Sequence, residues 1–307
     1  MSKKQSPIMC APSKTARFLP PKILFNTVPK IVRHIADLQR LLPSAGQIVL
    51  TPTMGALHEG HLSLARLGRT LADIQIVSIY VNPLQFGADE DFADYPRQLE
   101  ADCEKLSGLA DIIFAPDDQE MYPQKQTVGI SLPPLAGELC GHSRPGFFEG
   151  VAAAVCKLFN CTRPQTAIFG KKDLQQLHLI RLMTAQLNYP IGIIAAPIIR
   201  DRDGLALSSR NAYLSPDERR RAVLLPQTLK QAAAQIVGGA LPQQAAATAA
   251  ATLTADGFVV DYVEARDAHT LGAPSGEEIA VLTAAKLGKT RLLDNIEVRR
   301  AMPTKGA

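Results

Sequence analysis

Short apolar runs stopped by Gly, Pro or Asn recur through the first two hundred residues, with stretches of helical periodicity between them, and this alternation restricts the possible folds most. The runs cover residues 47–51, 74–81, 111–116, 166–169 and 191–199, and the second of them, "IQIVSIYV", is rich in β-branched residues. Such runs read as buried strands. Helices are expected over residues 31–42, 58–72, 96–106, 149–160 and 171–187. Parallel strands need a crossover of a dozen residues or more, which those helices supply. The pattern predicts an α/β fold: a Rossmann-like, doubly wound parallel sheet with helices on both faces.

Beyond residue 198 the pattern changes. Residues 215–256 are helical and alanine-rich, including "QQAAATAAATL", and strands are expected over 259–266, 278–285 and 290–298. Alanine has the best helix propensity, so that tract reads as helix. The expected organisation is a flexible basic tail over 1–22, a Rossmann-like domain over 23–198, and a smaller α+β domain over 199–307 that acts as a lid.

The net charge of +4 on 307 residues invites a nucleic-acid reading only until the charges are located. Lys3, Lys4, Lys14, Arg17 and Lys22 give the first 22 residues +5 with no acid, which leaves the rest at 4 − 5 = −1. With no tryptophan and 5% aromatic residues, the body also lacks interleaved stacking residues for nucleic acid. Cys10, Cys103, Cys140, Cys156 and Cys161 form no CxxC pair, so they read as reduced thiols of a cytoplasmic protein without zinc. No apolar run approaches the roughly 20 residues of a membrane span.

Open parallel sheets bind ligands at the carboxyl ends of their strands, where helix N-termini present unpaired N–H groups. "PTMGALHEGH" follows the first run, and Gly55 is expected to let the backbone approach a phosphate. His58 and His61, at i and i+3, share one face of the first helical turn. Two imidazoles at a helix N-terminus suit a phosphate transition state and a pyrophosphate leaving group. "FGKKDLQQ" repeats the arrangement after a later run: Lys172 can neutralise phosphate oxygens, Asp173 can bond a ribose hydroxyl, and Gln176 can read a small polar substrate. "VNPLQFG" ends the second run with Asn82 and Gln85, and "DGLALSSRN" offers Ser208, Ser209 and Arg210 in succession. Each stretch alone reads equally well as a cap, turn or solvated loop. Four at matching positions describe a site for a nucleoside triphosphate and a small acid.

These stretches, with "DYPRQLEADCEKL", "RPGFFEGV", "VDYVEARD" and "LGKTRLLDN", closely resemble the pantothenate synthetase (pantoate–β-alanine ligase) family of the HIGH-motif nucleotidyltransferases. The likeness runs in order from about residue 23 to 298. It implies ATP-dependent condensation of pantoate with β-alanine through pantoyl adenylate, releasing pyrophosphate and AMP, with Mg²⁺ held chiefly by the phosphates and Asp102 as an outer-shell helper. By the same likeness His58, His61 and Lys172 carry catalysis, with His61 as proton donor. Met54, Gly55, Gly170, Lys171, Asp173, Ile199, Leu207, Ser208, Ser209 and Arg210 complete the ATP site. Pro52, Met54, Asn82, Gln85, Arg144 and Gln176 hold pantoate and β-alanine. A homodimer with no nucleic-acid or membrane partner is implied.

Three positions depart from the family pattern. Phe147 stands where histidine is common, Leu207 where methionine is, and Lys171 where glutamate is. The first two are expected to change packing only, whereas Lys171 is expected to add positive charge beside Lys172. Two other readings compete: a nucleotidyltransferase acting on a phosphorylated acceptor, which needs more positive charge around Gln85 and Gln176, and a non-catalytic ATP sensor or RNA binder.

Overall fold

The computed structural model describes residues 28–87 and 90–300, so the basic tail expected over 1–22 lies outside the described residues. Its strands are β1 (Lys30–Val32), β2 (Ile48–Thr53), β3 (Ile74–Ile79), β4 (Ile112–Phe114), β5 (Thr166–Gly170), β6 (Gly192–Ala196), β7 (Val259–Asp267), β8 (Glu278–Leu287) and β9 (Thr290–Arg299). The helices are α1 (Ile35–Leu41), α2 (Glu59–Leu71), α3 (Leu99–Lys105), α4 (Asp118–Met121), α5 (Cys140–Ser143), α6 (Phe147–Thr162), α7 (Leu174–Gln186), α8 (Pro216–Arg221), α9 (Leu224–Val237) and α10 (Pro242–Ala255).

The first six strands form one parallel sheet in the order β1-β4-β3-β2-β5-β6. The chain enters the middle of this sheet with β2, walks outward through β3 and β4, and returns to the other side of β2 with β5 and β6. Its direction reverses between β2 and β5, and a ligand crevice opens at such a reversal. The register shows the opening: β2 pairs with β3 as far as Thr53 but with β5 only over Val49 and Leu50. Pro52, which removes a donor, falls in the splayed part.

Alternate residues of the strands feed opposite faces, as a pleated strand requires. Ile112 and Phe114 join Leu50, Ile76 and Phe159 in one buried cluster. Ile113 packs with Val77, Ala65 and Leu106 on the other side. The remaining strands form an antiparallel sheet, β7-β8-β9, covered by α9 and α10. Ala245 and Ala249 lie one turn apart and bury small side chains in the cluster that also holds Ile279 and Val281, which lets α10 lie close to β7 and α9. Ala280 and Leu282 face the other way and join the main cluster, so β8 is apolar on both sides.

Several boundaries differ from expectation by a few residues, and two of the differences have a plain structural cause. The helix expected over 31–42 begins only at Ile35, because Lys30–Val32 is an edge strand paired in parallel with Ile112–Phe114. Three residues are too few to break a helical period on paper, whereas in the fold they satisfy the open edge of β4. The strand expected over 191–199 stops at Ala196 because Pro197 cannot donate to the ladder, and Ile198 and Ile199 turn into the crevice.

Gly150 fixes how α6 meets the loop after β3. A Cβ there would lie 2.0 Å from the Leu84 carbonyl oxygen and 2.9 Å from the Gln85 nitrogen, and the Gly150 carbonyl accepts a 3.0 Å bond from Asn82 Nδ2. Gly150→Ala is expected to destabilise the fold by about 1–3 kcal/mol or more, the usual range for overpacking, as read from the denaturation midpoint in urea. An unchanged midpoint would refute the close contact.

Candidate active site

The turn after β2 is shaped by a buried carboxylate. Asp102 of α3, with no solvent exposure, accepts 2.8 Å bonds from the backbone N–H groups of both Ala56 and Leu57. Lys105 Nζ lies 3.7 Å from the same carboxylate and donates to the Leu57 carbonyl at 2.7 Å. Gly55 and Ala56 both take positive φ, +83° and +50°. A left-handed alanine costs about 1–2 kcal/mol, while a hydrogen bond to a charged group returns about 1.5–3 kcal/mol, so the pair of bonds can hold the turn. One expectation changes here. Both Asp102 oxygens are engaged and buried, so Asp102 is no outer-shell metal helper. Gly55 is needed for its φ and because a Cβ would meet Asp102 and Ile79 at 3.1 Å.

This turn delivers His58 as the N-cap of α2. His58 Nδ1 accepts from the Gly60 N–H at 3.1 Å, and His61 Nδ1 accepts from the His58 N–H at 3.4 Å, a reciprocal capping box built from imidazoles. The ring centroids are 4.1 Å apart. With both Nδ1 atoms accepting, a neutral ring carries its proton on Nε2, which is the donor left for a ligand. Burial, then the charges of Lys172 and Lys105, push His58 down to about 4, with Asp173 pulling the other way. Burial, then His58, Lys172 and Lys105, push His61 down to about 3. Both rings are therefore neutral Nε2–H donors at pH 7 in the free protein.

The matching turn after β5 carries residues 170–173 into α7. Lys172 is about one-fifth exposed and lies 4.0 Å from Asp173, itself half exposed. Lys171 turns away and pairs with Glu297 of β9, so it adds no free charge beside Lys172, contrary to expectation. The adjacent Gln175 and Gln176 divide their work. Gln176 faces the crevice, while the buried Gln175 bonds the Cys140 N–H and the carbonyls of Leu135 and Glu138.

Asn82 is 1% exposed: its Nδ2 donates to Gly150 O and Gln85 Oε1, and its Oδ1 accepts from Tyr122 and the Leu84 N–H. It holds Gln85 more than it offers itself, although it touches the crevice wall. Gln85 Nε2 donates to Met54 Sδ, joining the loops after β2 and β3. Arg144 grips Glu90 in a two-pronged pair at 2.5 Å and lies 3.6 Å over the Phe147 ring. Burial alone would raise the Glu90 carboxyl, but the guanidinium wins and holds it below its usual range. Phe147 thus does more than pack: it gives Arg144 an aromatic platform.

The final wall is the loop after β6. Arg200 bridges Ala206, and the Leu207 N–H donates to Ile199 at 3.0 Å, closing a small hairpin that leads into residues 208–210. Ser209 meets Tyr95 at 3.3 Å, and Arg210 forms a two-pronged pair with Asp91 at 2.8 and 3.0 Å. Pro52, Met54, His58, His61, Asn82, Gln85, Gly170, Ile199, Leu207 and Ser209 line a cavity of about 250 Å³. Arg144, Lys172, Asp173, Gln176, Ser208 and Arg210 line both it and an adjoining cavity of about 560 Å³ that reaches β8 and β9. Gly55 and Lys171 line neither. Residue patterns alone did not reveal Tyr95, the apolar wall from Val151 to Leu158, or the two carboxylates Glu90 and Asp91. The last two sit in "GADEDFADYP", whose acids look like any solvated loop.

A family model described as pantoate-beta-alanine ligase matches residues 25–297. The pantothenate synthetase of Thiobacillus denitrificans is 50% identical over 277 residues, covering 89% of this chain and 98% of that protein. That of Acinetobacter baumannii is 51% identical over 254 residues, 82% and 90% of the two chains. The crystal structure of the Thermus thermophilus pantothenate synthetase superimposes with a TM-score of 0.84 at 38% identity, over 88% of this chain and 99% of that one. The Francisella tularensis pantoate-beta-alanine ligase, complexed with beta-gamma ATP and beta-alanine, gives 0.76 at 32% identity over 87% and 97%.

The histidine pair has a pH signature. In the unfolded chain both rings take up a proton near 6.5, whereas the folded rings do so only near 4 and 3. Their contribution to stability is fully present above pH 6.5 and is lost as pH falls from there through about 4 for His58 and about 3 for His61. Ring ¹⁵N shifts should report the neutral Nε2–H tautomer for both at pH 7, and a ring titrating near 6.5 in the free protein would contradict the buried capping box.

Proposed function

The chain belongs to the pantoate-beta-alanine ligase family, and from that premise we propose that it joins pantoate to β-alanine at the expense of ATP in the crevice between β2, β5 and the loop after β6. It is a ligase of pantothenate biosynthesis. The observation that carries the site assignment is the convergence of His58, His61, Lys172, Gln85, Gln176 and residues 208–210 on adjoining cavities at the strand-order reversal. Two neutral amides and one arginine suit a small hydroxy acid. A phosphorylated acceptor would call for more free cations than Gln85 and Gln176 provide.

A carboxylate is a poor acylating agent, and the proposed route removes that difficulty in two steps. A pantoate oxygen attacks the α-phosphorus of ATP, the bond to the bridging oxygen breaks, and pyrophosphate leaves. The neutral amine of β-alanine then attacks the carbonyl carbon of the mixed anhydride, the bond from that carbon to the phosphate oxygen breaks, AMP leaves with its electron pair, and the nitrogen loses a proton to solvent. No covalent enzyme intermediate is needed. The chain supplies alignment and charge: Gln85 and Gln176 orient the acid, while the Nε2–H groups of His58 and His61, the Lys172 ammonium and the positive end of the α2 dipole face the charge that builds on phosphate oxygens. As a triphosphate enters, its charge raises the imidazole pKa values, so a ring that starts as a neutral donor gains acid character when the leaving group needs it.

Among the described residues no group of three or more His, Cys, Asp or Glu side chains is arranged to hold a metal ion. Mg²⁺ in this reading arrives on the triphosphate, where it would offset charge on the departing pyrophosphate. The reading also includes a nucleotide- and pantoate-binding domain over 23–198 with a lid over 199–307, homodimeric assembly, and residence in the cytoplasm. No helix among the described residues is long and apolar enough to cross a membrane.

The test is pantoate-dependent exchange of labelled pyrophosphate into ATP without β-alanine, followed by pantothenate and AMP formation when the amine is added. His61→Ala and Lys172→Ala should each slow exchange by roughly 10²-fold, the usual cost of one lost transition-state donor. Gln85→Ala should raise the pantoate KM about tenfold, with a smaller change for ATP. Wild-type exchange rates in the first two variants would remove those groups from the chemistry.

A further inference from the structure

Two adjacent residues of β9 reach both sides of the crevice. Among the described residues β9 pairs with β8 alone, and its Asp294 and Asn295 contact the two nucleotide loops. Both are almost fully buried, at 1% and 3% exposure. Asn295 Nδ2 donates to the carbonyls of Lys171 and Lys172, each at 2.9 Å. Asp294 takes the Arg200 guanidinium in a two-pronged pair at 2.6 and 2.8 Å. Arg200 is the residue that closes the 199–207 hairpin through its bridge to Ala206, and it also bonds the Asn295 carbonyl at 3.2 Å.

We propose that Asp294 and Asn295 are positioning residues: one dipeptide on the edge of the C-terminal sheet sets the spacing between Lys172 and the 208–210 loop, and thereby the affinity for the triphosphate. The inference rests on the reading of these loops as the ATP site. Loops that carry phosphate ligands are mobile unless a supporting layer fixes them, and an ångström of slack weakens a charged contact. Here a single rigid strand provides that layer for both loops, so neither can shift alone. Lys171 adds a third tie through Glu297 of the same strand.

Asn295→Ala should raise the ATP KM about tenfold while the KM values for pantoate and β-alanine stay within about twofold. A merely structural role would move all three together with the thermal midpoint. In a Lys172→Ala background the same change should add little, because its effect is transmitted through Lys172. Additive losses in the double variant, or equal rises in the pantoate and ATP KM values, would overturn the assignment. If Asn295→Ala fails to fold, the isosteric Asp294→Asn serves: a folded variant with a severalfold higher ATP KM supports the role, and an unchanged one refutes it. Absence of pantoate-dependent pyrophosphate exchange in the wild-type protein is a different failure, because it removes the site reading itself and the inference with it.

Discussion

A carboxylate with no access to solvent, Asp102, holds the turn on which the site depends. Its two oxygens bind the amides of Ala56 and Leu57, and without them a left-handed alanine following a left-handed glycine has little to keep it folded. The next residue is His58, which caps α2, and the ring of His61 closes the cap from the other side. The strain of the turn, the aim of both imidazoles and the exposure of the helix N-terminus thus share one support. It lies on α3 and lines neither cavity, and it is itself balanced by Lys105 at 3.7 Å.

The crevice keeps its positive charge in two forms. Lys172 has only a loose partner, Asp173 at 4.0 Å, whereas Arg144 and Arg210 are each gripped by a carboxylate from the single loop that carries Glu90 and Asp91. Carboxylates there already occupy the guanidinium donors, so in the proposed complex a carboxylate or phosphate ligand would exchange one anion for another rather than meet a bare cation. The cost of holding arginines half-buried is met within the free protein. The imidazoles follow the opposite strategy and stay uncharged. Their Nε2–H groups can be buried without an anion.

Much of the fold was legible because the sheet is buried on both faces. Strands such as 74–79 must be apolar nearly throughout, and the turns that end them must be polar, so the alternation of the two is visible without any structure. The same logic exposed His58, His61, Lys172, Gln85 and Gln176, each placed within a few residues of a strand end. What escaped was decided by distance in space. β1 is three residues long and gains its identity only from β4. Lys171 looked like a phosphate ligand because it adjoins Lys172, and its partner Glu297 lies 126 residues away. Asn82 lines the crevice, but the four hydrogen bonds that absorb its amide, two of them with Tyr122 and Gly150, could not be read from its neighbours.

Two of the departures from the family pattern become intelligible once both sides of the crevice are considered. Lysine at 171 carries charge out to β9, where Glu297 receives it, beside Asn295, which takes the carbonyls of 171 and 172. An acidic residue at 171 facing Glu297 would repel it. The charge at 171 is therefore matched to the C-terminal sheet rather than to a phosphate. Phenylalanine at 147 lies 3.6 Å beneath the Arg144 guanidinium. A histidine there would offer a smaller ring and, if protonated, a like charge, so the aromatic carbon face keeps Arg144 in place whatever the pH. Each change can be tolerated because its consequence falls on a supporting contact and leaves the groups that face the ligand as they were.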